Sequence, residues 1–329
     1  MSNGEILKEY GKYVMNNFEF ENGEILEDVV VEYSLLGLPE YDEKGNIINA
    51  VVFSHGFNGD YSFSSNFQEF ANKVNGLEGE NYFFILITSL GFPDSCSPSS
   101  TGLNHKFPNY SMLDKVNFKR QFLKEYLNIE KVHGISGWGS GGYEVLTWAA
   151  TFPDEMDFII LLSTAHKTNG YRYVISKCID SLIESSDDFY SDVYSESLSR
   201  IMVSINQLLY SNYFSKQTFQ NMSNDEIDVL MDDFVDAGLF VDIYDFKYRN
   251  DAVLEYDVED KLKNIKAKTM IISSDANIYY FSEFDAIPMS EQIENSTLVF
   301  FDSKRDYHDI EDYSVLYDDF KKFLEEFKK

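Results

Sequence analysis

Residues 131–153 read Lys-Val-His-Gly-Ile-Ser-Gly-Trp-Gly-Ser-Gly-Gly-Tyr-Glu-Val-Leu-Thr-Trp-Ala-Ala-Thr-Phe-Pro, and few local structures accept such a stretch. A short apolar strand over 131–136 runs into a glycine-rich turn. A helix over 141–151 follows, opened by small residues and stopped by Pro153. A strand, a tight glycine turn and a helix in this order form a nucleophile elbow, where the central residue projects over the edge of a sheet. The flanking glycines let strand and helix pack almost backbone to backbone. A P-loop is excluded, because no Lys-Ser or Lys-Thr follows the glycines. A dinucleotide fingerprint is disfavoured. The strand does not open the chain, and no acidic residue stands where a ribose would need it.

The rest of the chain alternates strands and helices. Segments 18–21 and 29–33 flank Asn22-Gly23 and read as a hairpin or meander. Ala50-Val51-Val52-Phe53 is a buried strand ending in Ser54-His55-Gly56, and 82–87 and 158–162 are further apolar runs. Between them, 112–127 shows helical spacing at Leu113, Val116, Phe122 and Leu123. This alternation predicts a mostly parallel sheet covered on both faces, in the α/β class. From about 169 to 244 the pattern is helical, with helices predicted over 174–184, 195–210 and 225–240. Strands return at 268–274 and 297–301, and an amphipathic helix closes the chain over 313–327. The sequence therefore predicts one core domain, 1–165 with 251–329, and a helical cap inserted at 166–250.

Charge narrows the function classes. The chain has 27 Lys+Arg against 56 Asp+Glu in 329 residues, a net charge of 27 − 56 = −29. Nucleic-acid backbones and anionic membrane surfaces select clustered basic residues, so neither is an expected partner. Arginine occurs only at Arg120, Arg172, Arg200, Arg249 and Arg305. With 44% apolar residues the chain is globular in composition. Cys96 and Cys178 make neither a disulfide framework nor a metal cluster. His105, His133 and His166 are scattered without ligand spacing and read as structural. The first 18 residues lack an apolar signal segment, and no run of 18 apolar residues occurs. The expectation is a cytoplasmic protein with no metal and no bound cofactor.

Several pieces together carry a resemblance. They include Glu24-Ile25-Leu26, His55-Gly56-Phe57-Asn58-Gly59-Asp60, Ser97-Pro98-Ser99-Ser100 and Phe107-Pro108 with Asp114-Lys115-Val116. Leu127-Asn128-Ile129-Glu130-Lys131-Val132, the elbow with Trp148-Ala149, Thr164-Ala165-His166-Lys167, Tyr256-Asp257-Val258 and Tyr307-His308-Asp309 complete them. The sequence resembles the homoserine O-acetyltransferase family of α/β-hydrolases, especially its hydrolase-like paralogues. The resemblance implies an α/β-hydrolase fold with a helical cap, a Ser-His-Asp triad and a two-step acyl transfer. Acyl-CoA would then be a substrate only. It further implies a small-molecule acyl ligand and a homodimer paired through the cap.

The elbow departs from the family pattern. Where the family has Gly-Trp-Ser-Met-Gly-Gly or Gly-Gly-Ser-Met-Gly-Gly, this chain has Gly137-Trp138-Gly139-Ser140-Gly141-Gly142. The nucleophile position falls on Gly139, which has no side chain to attack a carbonyl. Ser140 falls one residue later and reaches the nucleophile position only through a one-residue shift. The resemblance places the base at His308. It places the acid at Asp275 or Asn277, in Ser274-Asp275-Ala276-Asn277 after a strand. An Asn there could hold the imidazole but not stabilise its charged form. The backbone N–H groups of Phe57 and Ser140 register with the oxyanion hole. His55, Gly56 and Trp138 register with the pocket wall, with His55 read as structural. The Arg that precedes the Asp114 position in the acetyltransferases is Leu113 here, which weakens homoserine as substrate.

Three readings of function follow. The chain is a non-catalytic or impaired hydrolase-fold protein that keeps its acyl pocket, or an active acyltransferase or esterase using Ser140. Alternatively, Gly139 is an engineered replacement in an active enzyme. The irregular acid segment weighs against the last, since one substitution suffices to silence a triad.

Overall fold

The computed structural model of the chain describes residues 8–59, 82–191, 194–212, 214–301 and 316–327. Its centre is an eight-stranded sheet of β1 (Lys8–Glu19), β2 (Ile25–Leu36), β3 (Ala50–Ser54), β4 (Phe83–Ile87), β5 (Val132–Trp138), β6 (Met156–Leu162), β7 (Lys268–Ser273) and β8 (Ser296–Phe300). The spatial order is β1-β2-β4-β3-β5-β6-β7-β8. β2 runs antiparallel to both β1 and β4, and every other pairing is parallel. This is an α/β-hydrolase fold.

Helices α1 (Pro98–Thr101), α2 (Met112–Leu127) and α3 (Ser140–Thr151) connect the first strands. Between β6 and β7 come α4 (Gly170–Glu184), α5 (Glu196–Tyr210), α6 (Lys216–Asn221), α7 (Asn224–Leu239) and α8 (Ile243–Leu254). α9 (Ile287–Gln292) precedes β8, and α10 (Tyr317–Glu325) packs near the end of the chain.

Burial explains the apolar runs. Along β6, Ile159 and Leu161 enter the core shared with α2 and α3, while Phe158 and Ile160 enter the opposite core with Phe320 and Phe323 of α10. A strand buried on both faces shows no polar alternation. The inserted helices have a core of their own, in which Ile175, Ile179 and Ile183 meet Leu198, Met202, Ile205 and Phe246.

Two boundaries differ from the sequence reading. β1 and β2 are much longer than 18–21 and 29–33. One face of the pair is buried through Met15, Phe18, Val29 and Val31, but Tyr10 and Val14 on the other are 49% exposed. Outward apolar residues blur the alternation by which a strand is recognised. The other difference is α8, a helix that the sequence reading leaves unassigned. Asp242 caps it, accepting from the Tyr244 and Asp245 N–H groups at 2.8 and 3.2 Å.

Parallel pairing has one consequence for function. It brings the carboxyl ends of β3, β5 and β7, and the loops after them, to the same edge of the sheet, where α/β proteins bind ligands. Among the described residues no helix is long and apolar enough to cross a membrane.

Candidate active site

Gly139 joins β5 to α3 at φ 55° and ψ −122°. A Cβ is strained at such angles, and glycine is not. The Gly139 N–H donates to the Leu162 carbonyl at 3.1 Å. Its carbonyl accepts from the Gly142 N–H at 3.0 Å and from the Thr164 hydroxyl at 2.6 Å. Gly141 answers a different need: a Cβ there would stand 2.1 Å from the Ser54 carbonyl oxygen. α3 thus starts in backbone contact with the end of β3, where the loop 55–59 begins.

A cavity of about 320 Å³ opens over this turn. Trp138, Gly139, Ser140 and Tyr143 form one side, Gly56 to Gly59 a second, and Tyr279 with Tyr280 a third. The inserted helices contribute Ser176 and Ile179 from α4, Leu209 and Tyr210 from α5, and Phe246, Asn250 and Val253 from α8. A buried ion pair fixes the third side to α4. Arg172 donates to both Asp285 oxygens at 2.6 and 2.7 Å and to the Tyr279 carbonyl at 2.9 Å.

The structure gathers some of the expected residues here and separates others. Gly56, Phe57, Trp138, Gly139 and Ser140 all line the cavity. Among the described residues, neither the Phe57 nor the Ser140 backbone N–H has an acceptor, as expected for Ser140 in the first turn of a helix. His55 is not part of the wall. Its Nε2 accepts from the Ser89 N–H at 3.0 Å, which leaves the proton on Nδ1, 2.9 Å from the Gly56 carbonyl. Asp275 is exposed. Asn277 is buried, and its Oδ1 accepts from the Tyr279 and Tyr280 N–H groups at 2.9 and 2.8 Å, an Asx turn that shapes the third side. His308 lies outside the described residues, so its relation to Gly139, Asp275 and Asn277 does too. Asp114 closes a capping box with Ser111 at the start of α2.

A cluster beneath the turn escapes the sequence reading. Glu144, on the second turn of α3, lies 2.8 Å from the Lys115 ammonium and 2.5 Å from that of Lys119. It also accepts from the Ser89 hydroxyl at 2.9 Å, and Lys119 donates to the Ser54 hydroxyl at 2.7 Å. All three charged side chains are at most 5% exposed. Burial alone would raise the Glu144 carboxyl, but Lys115 and Lys119 outweigh it and hold the group well below the usual carboxylate range. Burial lowers the Lys119 ammonium, and Glu144 works against that shift. Burial, then the Lys119 charge, pushes His55 down to about 3, so its ring is neutral. The available signal was a lone Glu in the apolar run Val145-Leu146-Thr147-Trp148, with two lysines four residues apart on α2.

The chain as a whole is similar to known proteins. A family model described as the alpha/beta hydrolase fold matches residues 49–304. A probable acyltransferase of Methanothermobacter thermautotrophicus is 38% identical over 292 residues, covering 89% of this chain and 90% of that protein. A homoserine O-acetyltransferase of Sulfurimonas autotrophica is 27% identical over 211 residues, 58% of this chain and 55% of its own length. The crystal structure of homoserine O-acetyltransferase from Staphylococcus aureus aligns with a TM-score of 0.78 over 97% of this chain and 95% of that one. At 16% identity that likeness is one of fold.

Proposed function

The chain belongs to the α/β-hydrolase family, among its homoserine O-acetyltransferase-like members, and from that premise we propose that it is a ligand-binding form of the fold whose nucleophile position is held by Gly139. The observation that carries this reading is the position of Gly139. It occupies the apex between β5 and α3 with a positive φ of 55°, and it has no atom that could attack an acyl carbon. The inserted helices act as a cap over an acyl pocket. The Phe57 and Ser140 N–H groups, being backbone, persist as an oxyanion notch whatever the side chain at 139. Asp275 is exposed, and the Asn277 Oδ1 accepts from two backbone N–H groups of its own loop.

A second reading has one observation in its favour. Ser140 lines the same cavity and is the first residue of α3. It would then be a shifted nucleophile in an acyltransferase or esterase. A fluorophosphonate probe separates the two. The first reading expects no covalent adduct, no hydrolysis of a chromogenic acetyl ester, and thermal stabilisation by a bound ligand. An adduct on the intact chain that disappears in Ser140→Ala establishes the second.

A further inference from the structure

We propose that the cavity takes an uncharged ligand whose hydroxyl is received by Asn250, a specificity-determining residue where the inserted helices close the pocket. This rests on the reading of the cavity as the ligand pocket, and it holds whether or not the elbow carries a nucleophile.

Asn250 is the observation that carries the proposal. It lies on α8, is 2% exposed and lines the cavity. Its Nδ2 donates to the Ser176 carbonyl at 3.1 Å. A carbonyl oxygen only accepts, so this bond fixes which arm of the amide is the nitrogen. Oδ1 is the other arm, and no described group donates to it. The unpaired Asn277 Nδ2 is sealed from solvent, whereas the Asn250 Oδ1 is not among the sealed, unpaired atoms. An acceptor that is neither paired nor sealed, on a residue buried in the cavity wall, meets the open space of the cavity. A ligand that brings a donor satisfies it.

Asn212 shows the contrast. It lines the same cavity, but both its arms are committed. Its Oδ1 accepts from the Tyr171 hydroxyl at 2.6 Å, and its Nδ2 donates to the Leu208 carbonyl at 3.4 Å.

The surroundings decide which donor fits. Beside Asn250 the inserted helices present Ile179, Leu209, Phe246 and Val253, and no described lining residue is Asp, Glu, Lys, Arg or His. An ammonium group there would exchange its hydration for one neutral acceptor, which does not offset the loss. An amino acid is refused on the same ground. A primary amide would bring a carbonyl of its own, and the Nδ2 donors of Asn250 and Asn212 are already used. A hydroxyl is lightly hydrated by comparison and supplies the missing donor. On an apolar or aromatic body it matches a cavity of about 320 Å³ with aromatic walls.

Calorimetric titration of the full chain at pH 7 with 3-phenylpropan-1-ol, its methyl ether and 3-phenylpropylamine, an ammonium ion at that pH, tests this. The alcohol is expected to bind about tenfold tighter than the ether, which keeps the body and lacks the donor, and at least about tenfold tighter than the ammonium ion. In Asn250→Leu, a change of similar size, the alcohol should fall to within about twofold of the ether. A preference for the alcohol that survives in Asn250→Leu overturns the assignment. So does an ether or an ammonium ion that binds the unmodified chain as tightly as the alcohol, and that comparison needs no variant. Leu209→Trp, at a half-buried position of the wall, reads the pocket separately and should weaken all three ligands alike. Alcohol binding untouched by Leu209→Trp overturns the reading of the cavity as the pocket. An alcohol that does not bind at millimolar concentration overturns the proposal.

Discussion

The Thr164 hydroxyl donates to the Gly139 carbonyl at 2.6 Å. The peptide at the end of β5 is thus held from the segment after β6, and not by a side chain at residue 139. Together with the Gly139 N–H bonded to Leu162, this anchors both ends of the residue. A turn fixed in this way keeps its shape whether or not a nucleophile occupies it.

Gly139→Ser should therefore fold and retain the turn. Placing a Cβ at φ 55° is expected to lower stability by about 1 kcal/mol. With His308 aligned as its base and Asp275 behind it, the same variant should acquire slow ester hydrolysis, since both notch donors are backbone groups. Denaturant unfolding and a chromogenic ester assay read the two effects separately. A variant more stable than the parent would show that a Cβ at residue 139 is not strained.

Glu144 should be the most sensitive position outside the cavity. Glu144→Gln leaves Lys115 and Lys119 buried without a counter-charge, at an expected cost of about 3–5 kcal/mol. Replacing all three charges together by Met, Met and Leu should recover most of that loss. Urea midpoints of the single and triple variants decide it. Equal destabilisation in both would mean that the volume of these side chains matters and their pairing does not.

Stability should fall with acidity, starting near neutral pH. His55 titrates at about 3 in the folded chain and near its ordinary 6.5 when unfolded. Between those values the unfolded state binds the extra proton. The contribution is full above about pH 6.5 and diminishes as pH drops towards about 3, at up to about 1.4 kcal/mol per pH unit. Glu144, depressed by its lysines, adds loss of the same sign once pH falls below its unfolded value. A urea-midpoint series from pH 4 to 8 should show this slope, and His55→Asn should flatten it between pH 5 and 6.5.

The two acid candidates should part company on substitution. Asn277→Ala removes both acceptor bonds of a buried Asx turn and should cost about 1–3 kcal/mol. Asp275→Ala, at an exposed position, should stay within about 0.5 kcal/mol. Thermal unfolding of the pair is sufficient. A large loss in Asp275→Ala would reveal a partner for that carboxylate beyond its own loop.

Local order was legible in the sequence alone. The apolar runs of β3, β4 and β6, the glycine turn at 137–142 and the helices α4, α5 and α7 of the insertion are written in composition and period, because each depends on neighbours within a few residues. The absence of a side chain at Gly139 is likewise a property of the chain before it folds. What meets what was decided only by packing. Lys119 finds Ser54 across 65 residues, and Arg172 finds Asp285 across 113. No local pattern encodes such distances. His55 became a neutral strut between Ser89 and Gly56 because burial, with the charges of Lys119 and Lys115, outweighs the opposing Glu144. Asn277 was turned to its own backbone by the path of the loop after β7. Burial sets the cost of leaving such groups unpaired, and burial exists only once the sheet and its helices have closed.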